Sequence, residues 1–412
     1  MGPVIAVGKP LLLDCEDVAW FRDQPDAARG AAAALGRRVG LGEHRTAQLV
    51  LAVAELATNV TKHSNDGSVL LRVLRDPAVA GVEVLVLDTG PGMADVPAAL
   101  RDGVSTIGTL GIGLGSVKRL ADRFDVHSVP GVGTVQLARF WPRPLPASVA
   151  GEAVVGGITR PIGGEVVCGD AWAARTDAGA GEEAARVPAE QSGSRLTGSG
   201  AVPDWSAMTA AGTGHRAARH AAAEPVRSSR PAGERSELVR GAAEGPGQGV
   251  LVMSCDGLGH GPMAARASQA AVHAFRTGAG RTPEQVVEEV HRALRGTRGA
   301  AVAVARLEAG GRLLFCGIGN IAASVVTTGT RANLLSHPGI VGSQMRQLRT
   351  YEQRMPAGGT LVMHSDGLSE RWRPGDLATL LHHPPAVIAA GLLRHAGTRR
   401  DDASVVIAKG AW

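Results

Sequence analysis

Residues 44–63 read HRTAQLVLAVAELATNVTKH, in which Leu49, Val53, Leu56 and Val60 recur at intervals of three and four. That spacing predicts an amphipathic helix whose apolar stripe faces a core. Glu55, Asn59 and His63, each four apart, share a different face. The pattern then turns strand-like: VEVLVLDTGPGM is an apolar run that empties into Asp88, Gly90 and Gly92. Further on, STIGTLGIGLGSVKRLADRF sets Gly108, Gly111, Gly113 and Gly115 ahead of a second amphipathic helix. Such an arrangement can cradle phosphate on free N–H groups and a helix N-terminus.

The prolines of FWPRPLPAS (Pro142, Pro144, Pro146) end this first region with a linker signal. The boundaries that follow are 1–145 and 146–412. In the second region GITRPIGGEVVCGDAWAART, GVLVMSCDGLGHG, GAAVAVARLEAGGRLLFCGIGNIAASVVTTG, GTLVMHSDGLSE and DDASVVIAKG read as short β-type runs bounded by glycine. Helical periodicity covers 262–277, 283–295 and 376–396. Residues 177–248, rich in Ala, Gly, Ser, Arg and Glu, lack the apolar surface to offset their chain entropy and read as a disordered insertion. The fold class expected is α+β.

Composition adds bounds more than chemistry. A chain of 412 residues, 44% hydrophobic, is too long for one ordinary core and suggests two or three domains. Cys15, Cys168, Cys255 and Cys316 are widely separated, so neither a disulfide framework nor a zinc-type CxxC is present. No apolar run approaches the ~20 residues that span a bilayer, and no signal-peptide pattern opens the chain. A cytoplasmic protein with no membrane partner is the expectation. The formal charge of +5 comes from scattered arginines, and only 3% of residues are aromatic. Without basic clusters or stacking platforms, nucleic acid is not an expected partner.

Carboxylates carry the chemistry of the second region. Asp170 in VVCGDAW, Asp256 in SCDGLGHG, Asp366 in HSDGL and the pair Asp401–Asp402 in RRDD each border a strand-like run. Acids converging at strand ends without cysteine or paired histidine suit hard cations such as Mg²⁺ or Mn²⁺. Two such ions a few ångströms apart can activate a water and bind a phosphoryl group. Gly257 stands where a backbone carbonyl could join the coordination shell. His260, in the same glycine motif, reads as a residue shaping the loop, and His382–His383 as solvated helix-end residues.

In order and separation, ELATNVTKH, DTGPGM and GTLGIGLG resemble the N box and two glycine boxes of the GHKL (Bergerat) ATP-binding fold. Over residues ~10–142 the likeness is to the anti-sigma-factor serine kinases and switch kinases of bacterial stress signalling. The resemblance implies that Glu55 positions or deprotonates a substrate serine, Asn59 ligates magnesium and Asp88 contacts adenine. It further implies that Gly90, Gly92, Gly111, Gly113 and Gly115 shape the nucleotide pocket, with Thr134 near adenine. The acid blocks over ~155–409 resemble the SpoIIE-like branch of type 2C serine/threonine phosphatases, an αββα sandwich. Asp256 would then bridge two metal ions, Asp366 and Asp401 would bind one of them, Asp170 would stand further out, and Asp402 takes the place of a frequent asparagine. Glu165 stands where the wider family often has a phosphate-binding arginine.

Together the resemblances imply ATP, Mg²⁺ and Mn²⁺ as cofactors and a kinase–phosphatase pair. The implied partner is a STAS-type anti-sigma-factor antagonist or its phosphorylated form, with a sigma factor or another switch protein as a further candidate. The alternative is an ATP-binding anti-sigma or partner-binding module with little kinase activity, fused to an active phosphatase.

Overall fold

The computed structural model describes residues 10–64, 66–101, 113–163, 165–177, 249–345 and 347–410. The candidate Gly111, Gly108 and nearly all of the insertion read over 177–248 lie outside the described residues. Three antiparallel-rich sheets organise the rest. The first has the order β1 (Asp14–Phe21), β2 (Gly67–Asp76), β3 (Val79–Asp88), β5 (Gly133–Phe140), β4 (Arg123–Val129). Helices α1 (Ala28–Arg38) and α2 (Glu43–His63) pack together, and α2 lies on β2 and β3. The stripe of Leu49, Val53, Leu56 and Val60 is buried, as its spacing requires. A short α3 (Val96–Ala99) and α4 (Gly113–Leu120) complete this half.

The second sheet includes β7 (Asp170–Thr176), β8 (Val250–Gly257), β9 (Ala300–Leu307) and β10 (Arg312–Ile318), side by side in that order, with β13 (Ser336–His337) and β14 (Tyr351–Arg354) on β10. The third runs β12 (Arg331–Leu334), β11 (Ala322–Val326), β15 (Thr360–His364), β16 (Ala403–Lys409), β6 (Val155–Arg160). Val250, Val252, Ala303 and Phe315 of one sheet and Val325, Leu361, Met363 and Val406 of the other form the dry layer between them. Outside, α5 (Pro262–Thr277) and α6 (Pro283–Ala293) cover the second sheet through Ala267, Ala271, Phe275, Val286 and Val290. Helix α7 (Pro385–Ala396) covers the third. This is the αββα sandwich anticipated from the acid motifs.

Helix α7 serves two sheets. Val387, Ile388, Leu392 and Leu393 share one apolar cluster with Ile158, Val362, Val405 and Ile407 of the third sheet and with Leu70, Leu85, Leu87, Val135 and Leu137 of the first. A helix apolar nearly all round belongs between two layers, and here both are β. Gly156 lets it sit close, because a Cβ there would stand 2.8 Å from the Ala386 nitrogen. Polar contacts pin the same seam. The fully buried Arg72 of β2 pairs with Asp17 (2.6 Å) and Glu83 (2.9 Å) and donates to the Gly157 carbonyl of β6 (2.6 Å). Trp20 Nε1 donates to the Thr159 carbonyl (2.9 Å), and Asp17 accepts from the Thr159 amide and hydroxyl, both 2.7 Å. The proline-rich linker is packed as well, with Trp141 and Val149 buried beside Leu13 and Leu74.

Two expectations change. The helix read over 376–396 begins only at Pro385; short 3₁₀ turns at Pro374–Leu377 and Leu380–His382 precede it. Pro384 and Pro385 remove two amide donors and bar the residues before them from helical geometry. His383 is not simply solvated, since its Nδ1 lies 2.6 Å from Asp125 Oδ1 of β4. Its neighbour His382 is exposed as expected.

Candidate functional sites

The candidate nucleotide site is assembled at the end of β3. Asp88 pairs in register with Thr134 of β5, so the two residues expected near adenine are cross-strand neighbours. The Asp88 carboxylate accepts from the Gly90 amide (2.8 Å), and burial raises its pKa above the usual carboxylate range. Thr134 Oγ1 lies 3.0 Å from Ser128 Oγ, which in turn accepts from the Met93 amide at 2.8 Å. Gly90 has a packing reason: a Cβ would stand 2.5 Å from the His63 carbonyl, where α2 ends. Gly92 has a stronger one, with φ of +67° and a Cβ that would fall 2.2 Å from the Val129 carbonyl. Glu55 and Asn59, one turn apart on α2, are both half-buried. Gly113 starts α4 and Gly115 is buried within it.

The second candidate site lies where β7, β8 and the loops after β15 and α7 meet. The β7–β8 register sets Asp170 directly opposite Asp256. Asp170 is 4% exposed, with Oδ2 lacking any hydrogen-bond partner. Two carboxylates at one antiparallel pair position repel, and low-dielectric surroundings magnify the cost. Burial first, then Asp366 and Asp401, push the Asp256 pKa up to about 7. Burial and the Asp256 charge push Asp170 well above its ordinary value, and burial and Asp401 raise Asp366. Asn320 Nδ2 donates to Asp366 Oδ2 (2.7 Å) and orients it.

Asp402 has a visible structural task. One of its carboxylate oxygens accepts from the Ile162 amide (2.7 Å) and the other from the Gly169 amide (2.8 Å), clamping the loop that leads into Asp170. The glycine after Asp256 is demanded by packing: a Cβ on Gly257 would stand 2.4 Å from the Ala264 carbonyl and 2.9 Å from that of Gly169. His260 is largely exposed, with Nδ1 3.6 Å from Glu165 Oε1.

Among the described residues no three His, Cys, Asp or Glu side chains are already gathered as a metal cradle. The donor set nonetheless fits hard cations: the charges of Asp366 and Asp401 act on Asp256, that of Asp256 acts on Asp170, and a buried oxygen of Asp170 has no hydrogen-bond partner. Sequence reasoning missed Arg394 and Arg399. Arg394, on the last turn of α7, donates to the Asp88 carbonyl (3.4 Å), and Arg399 pairs with Asp66. Their only sequence signal is a basic RHAGTRR run, which names no partner.

The family described as "Histidine kinase-like ATPase domain" matches residues 22–139, and that of "Stage II sporulation protein E (SpoIIE)" matches 246–410. The serine/threonine-protein kinase RsbT of Bacillus subtilis (strain 168) is 36% identical over 117 residues, 28% of this chain and 88% of that protein. A solved chain from the bacterial stressosome, 23% identical, aligns over 62% of this chain and 97% of its own with a TM-score of 0.41. RsbX in complex with magnesium, 14% identical, aligns over 62% and 94% with a TM-score of 0.40. The chain belongs to the histidine kinase-like ATPases through its first half and carries a SpoIIE phosphatase domain in its second. It is a phosphatase with a serine/threonine kinase-like domain, and both domain types work with ATP or metal. No helix among the described residues is long and apolar enough to cross a membrane.

Proposed function

We propose that the two halves act in opposite directions on one protein substrate, a STAS-type anti-sigma-factor antagonist in a partner-switching pathway. The first half phosphorylates a serine or threonine with ATP, and the second removes that phosphoryl group with Mn²⁺ or Mg²⁺. The similarity to the serine/threonine-protein kinase RsbT supports the kinase reading, and the SpoIIE family match supports the phosphatase reading.

In the kinase half, Asp88 accepts from the exocyclic amine of adenine while Gly90 and Gly92 let the ring approach the backbone. Glu55 takes the proton of the incoming hydroxyl, and Asn59, a turn further on, helps to hold Mg²⁺. Phosphoryl transfer asks mostly for positioning and charge neutralisation, so this short list suffices.

In the phosphatase half, bound Mn²⁺ or Mg²⁺ supplies an acidified water and a positive counterpart to the phosphate. Asp256 and the Gly257 carbonyl would hold the pair, Asp366 and Asp401 one member of it, and Asp170 stands behind Asp256. Asn320 keeps Asp366 aimed, and Asp402 fixes the 162–169 loop at the rim. The observation that carries this reading is the in-register opposition of Asp170 and Asp256, a repulsion that cations relieve.

The test is radiolabelled ATP with candidate STAS proteins, followed by Mn²⁺-dependent release from the product. Glu55→Ala should abolish transfer and leave nucleotide binding intact, and Asp256→Ala should abolish release. Nucleotide binding with no transfer to any STAS protein would reduce the first half to a partner-binding module. Full release by Asp256→Ala would end the two-metal assignment.

A further inference from the structure

The segment 394–402 touches both candidate sites. At its start, Arg394 Nη1 donates to the Asp88 carbonyl (3.4 Å) and lies 2.9 Å from where a Cβ on Gly133 would stand, beside Thr134. Five residues later Arg399 pairs with Asp66. The Asp66 carbonyl accepts from both the amide (3.0 Å) and the hydroxyl (3.1 Å) of Thr89, the residue after Asp88. Both residues that begin the DTGPG loop are thus tied to this segment.

Its other contacts belong to the acid site. Gly397 bridges Leu368, the Thr398 amide donates to the Gly367 carbonyl (2.8 Å), and the Ser369 amide donates to the Ala396 carbonyl (2.9 Å). Residues 367–369 directly follow Asp366. Arg160 of β6 donates to the Thr398 carbonyl, and Asp401 and Asp402 end the segment. Packing at this end leaves no slack, because a Cβ on Gly367 would fall 2.0 Å from the Asp402 carbonyl. The helix before the segment has its apolar residues buried between two sheets, so it can shift only as a unit.

We propose that the nucleotide pocket is also an effector site for the phosphatase half, with adenine nucleotide beside Asp88 setting the spacing of Asp366 and Asp401 through residues 394–402. This rests on the reading that the first half binds nucleotide and the second is a metal-dependent phosphatase. It resolves a difficulty of that reading: two opposed activities running together only hydrolyse ATP, whereas a phosphatase that responds to the nucleotide bound next door does not run blind. Coupling of this kind is reciprocal, so nucleotide must change Mn²⁺ affinity by the factor by which Mn²⁺ changes nucleotide affinity.

The experiment uses the full chain with ADP and a non-hydrolysable ATP analogue, so that no transfer intervenes. Nucleotide affinity is measured by fluorescence anisotropy with and without Mn²⁺, Mn²⁺ affinity with and without nucleotide, and hydrolysis of p-nitrophenyl phosphate in all states. The expected result is one common factor of ~5 or more in both affinities, a typical size for coupled sites. Asp66→Asn and the double variant Arg394→Ala, Arg399→Ala should bring that factor to within twofold of unity while both ligands still bind, and Arg399→Lys should restore part of it. Independent binding in the unaltered protein, or an undiminished factor in the double variant, overturns the coupling alone. Absence of nucleotide binding or of Mn²⁺-dependent hydrolysis in the unaltered protein overturns the functional reading and this inference with it.

Discussion

Asp88 and Asp256 look alike in sequence: each ends an apolar strand and runs into glycine. Their surroundings differ in kind. Asp88 meets a threonine and not an acid across the ladder, its carboxylate accepts from the Gly90 amide, and the charges that act on it are those of Arg394 and His63. Asp256 faces Asp170 across the ladder and feels Asp366 and Asp401 besides. A partly buried carboxylate with no acid opposite it suits a neutral donor such as an amine. A carboxylate among carboxylates is costly until cations arrive, and the fold retains that cost. The strand-to-glycine motif alone therefore says little about ligand; the residue opposite on the next strand decides it.

The largest expected effect breaks this comparison at its centre. Asp256→Asn should lower Mn²⁺-dependent phosphatase kcat by ~10³-fold or more, the equivalent of about 4 kcal/mol. In metal-free buffer near pH 8 the same variant should be more stable than the parent, by about 2 kcal/mol, because a buried charge that faces those of Asp366 and Asp401 is gone. The sign follows from the raised pKa. Asp256 contributes fully below the unfolded value near 3.8, and stability of the metal-free protein falls as pH rises towards about 7. Asp88→Ala should leave phosphatase kcat unchanged, and should instead weaken nucleotide binding ~10-fold or more. If metal-free Asp256→Asn melts lower than the parent at pH 8, the repulsion is not real.

Much of this contrast was legible before the structure. The Asp–Gly strand ends and the Glu55–Asn59 face follow from period, and the αββα class is what the family resemblance of the acid motifs implies. What could not be read were facts of register and of surfaces far apart in sequence. Nothing in VVCGDAW and SCDGLGHG says that their acids stand opposite each other, because residues 178–248 intervene. The apolar pattern of 385–396 announces a buried helix and does not say that two sheets bury it. Arg72 looks like any strand arginine until Gly157, Asp17 and Glu83 close around it. The role of Asp402 depended on two amides more than 200 residues upstream.

The two sites share a seam, and weakening it comes next in size. Arg72→Leu leaves Glu83 and Asp17 buried with reduced compensation and the Gly157 carbonyl unanswered, and should cost about 3 kcal/mol. Equilibrium denaturation of the full chain measures it. A cost below about 1 kcal/mol would mean that Arg72 adds little to the seam beyond the apolar cluster around α7 and the Trp20 and Asp17 contacts. Smaller is the effect of His127 on β4, whose ring meets that of His383 edge-on at 5.1 Å between centroids, with Nε2 3.0 Å from Thr379 Oγ1. Burial first, then the charges of His383 and Arg394, depress its pKa to about 4, while Asp125 opposes them. A histidine held neutral in the fold contributes nothing above pH ~6.5, and destabilises progressively as pH falls from there towards 4, because the unfolded chain takes the proton first. The loss should reach about 2 kcal/mol by pH 4.5, seen as a melting difference that His127→Gln removes. An identical acid profile in parent and variant would place the titration elsewhere.

The smallest effect expected on the acids themselves sharpens the contrast at the two hairpins. Asp88 ends a hairpin whose strands β2 and β3 are joined by Pro77 and Ala78 alone, whereas the hairpin that opposes Asp170 and Asp256 carries residues 178–248 at its turn. The flanks of that segment are nonetheless closed like an ordinary ladder. Thr176 pairs with Val250, the Asp177 amide donates to the Gly249 carbonyl (2.9 Å), and the Gly249 amide donates back to the Asp177 carboxylate (3.0 Å). The other carboxylate oxygen of Asp177 accepts from Arg306 at 2.5 Å, fixing the closure to β9. Register in a hairpin is set by its turn and by the face each strand buries. Here the buried face of β8 and the Asp177–Arg306 pair already set it, so the acids should remain opposed without the segment. Replacing 178–248 by Asn-Gly, which suits a two-residue hairpin turn, should raise the unfolding free energy by up to about 3 kcal/mol, since the loop is halved roughly five times and each halving removes ~0.6 kcal/mol of closure entropy. The Mn²⁺-induced rise in melting temperature should also survive. Loss of that rise with the fold intact would show that the segment, and not the ladder, holds Asp170 against Asp256.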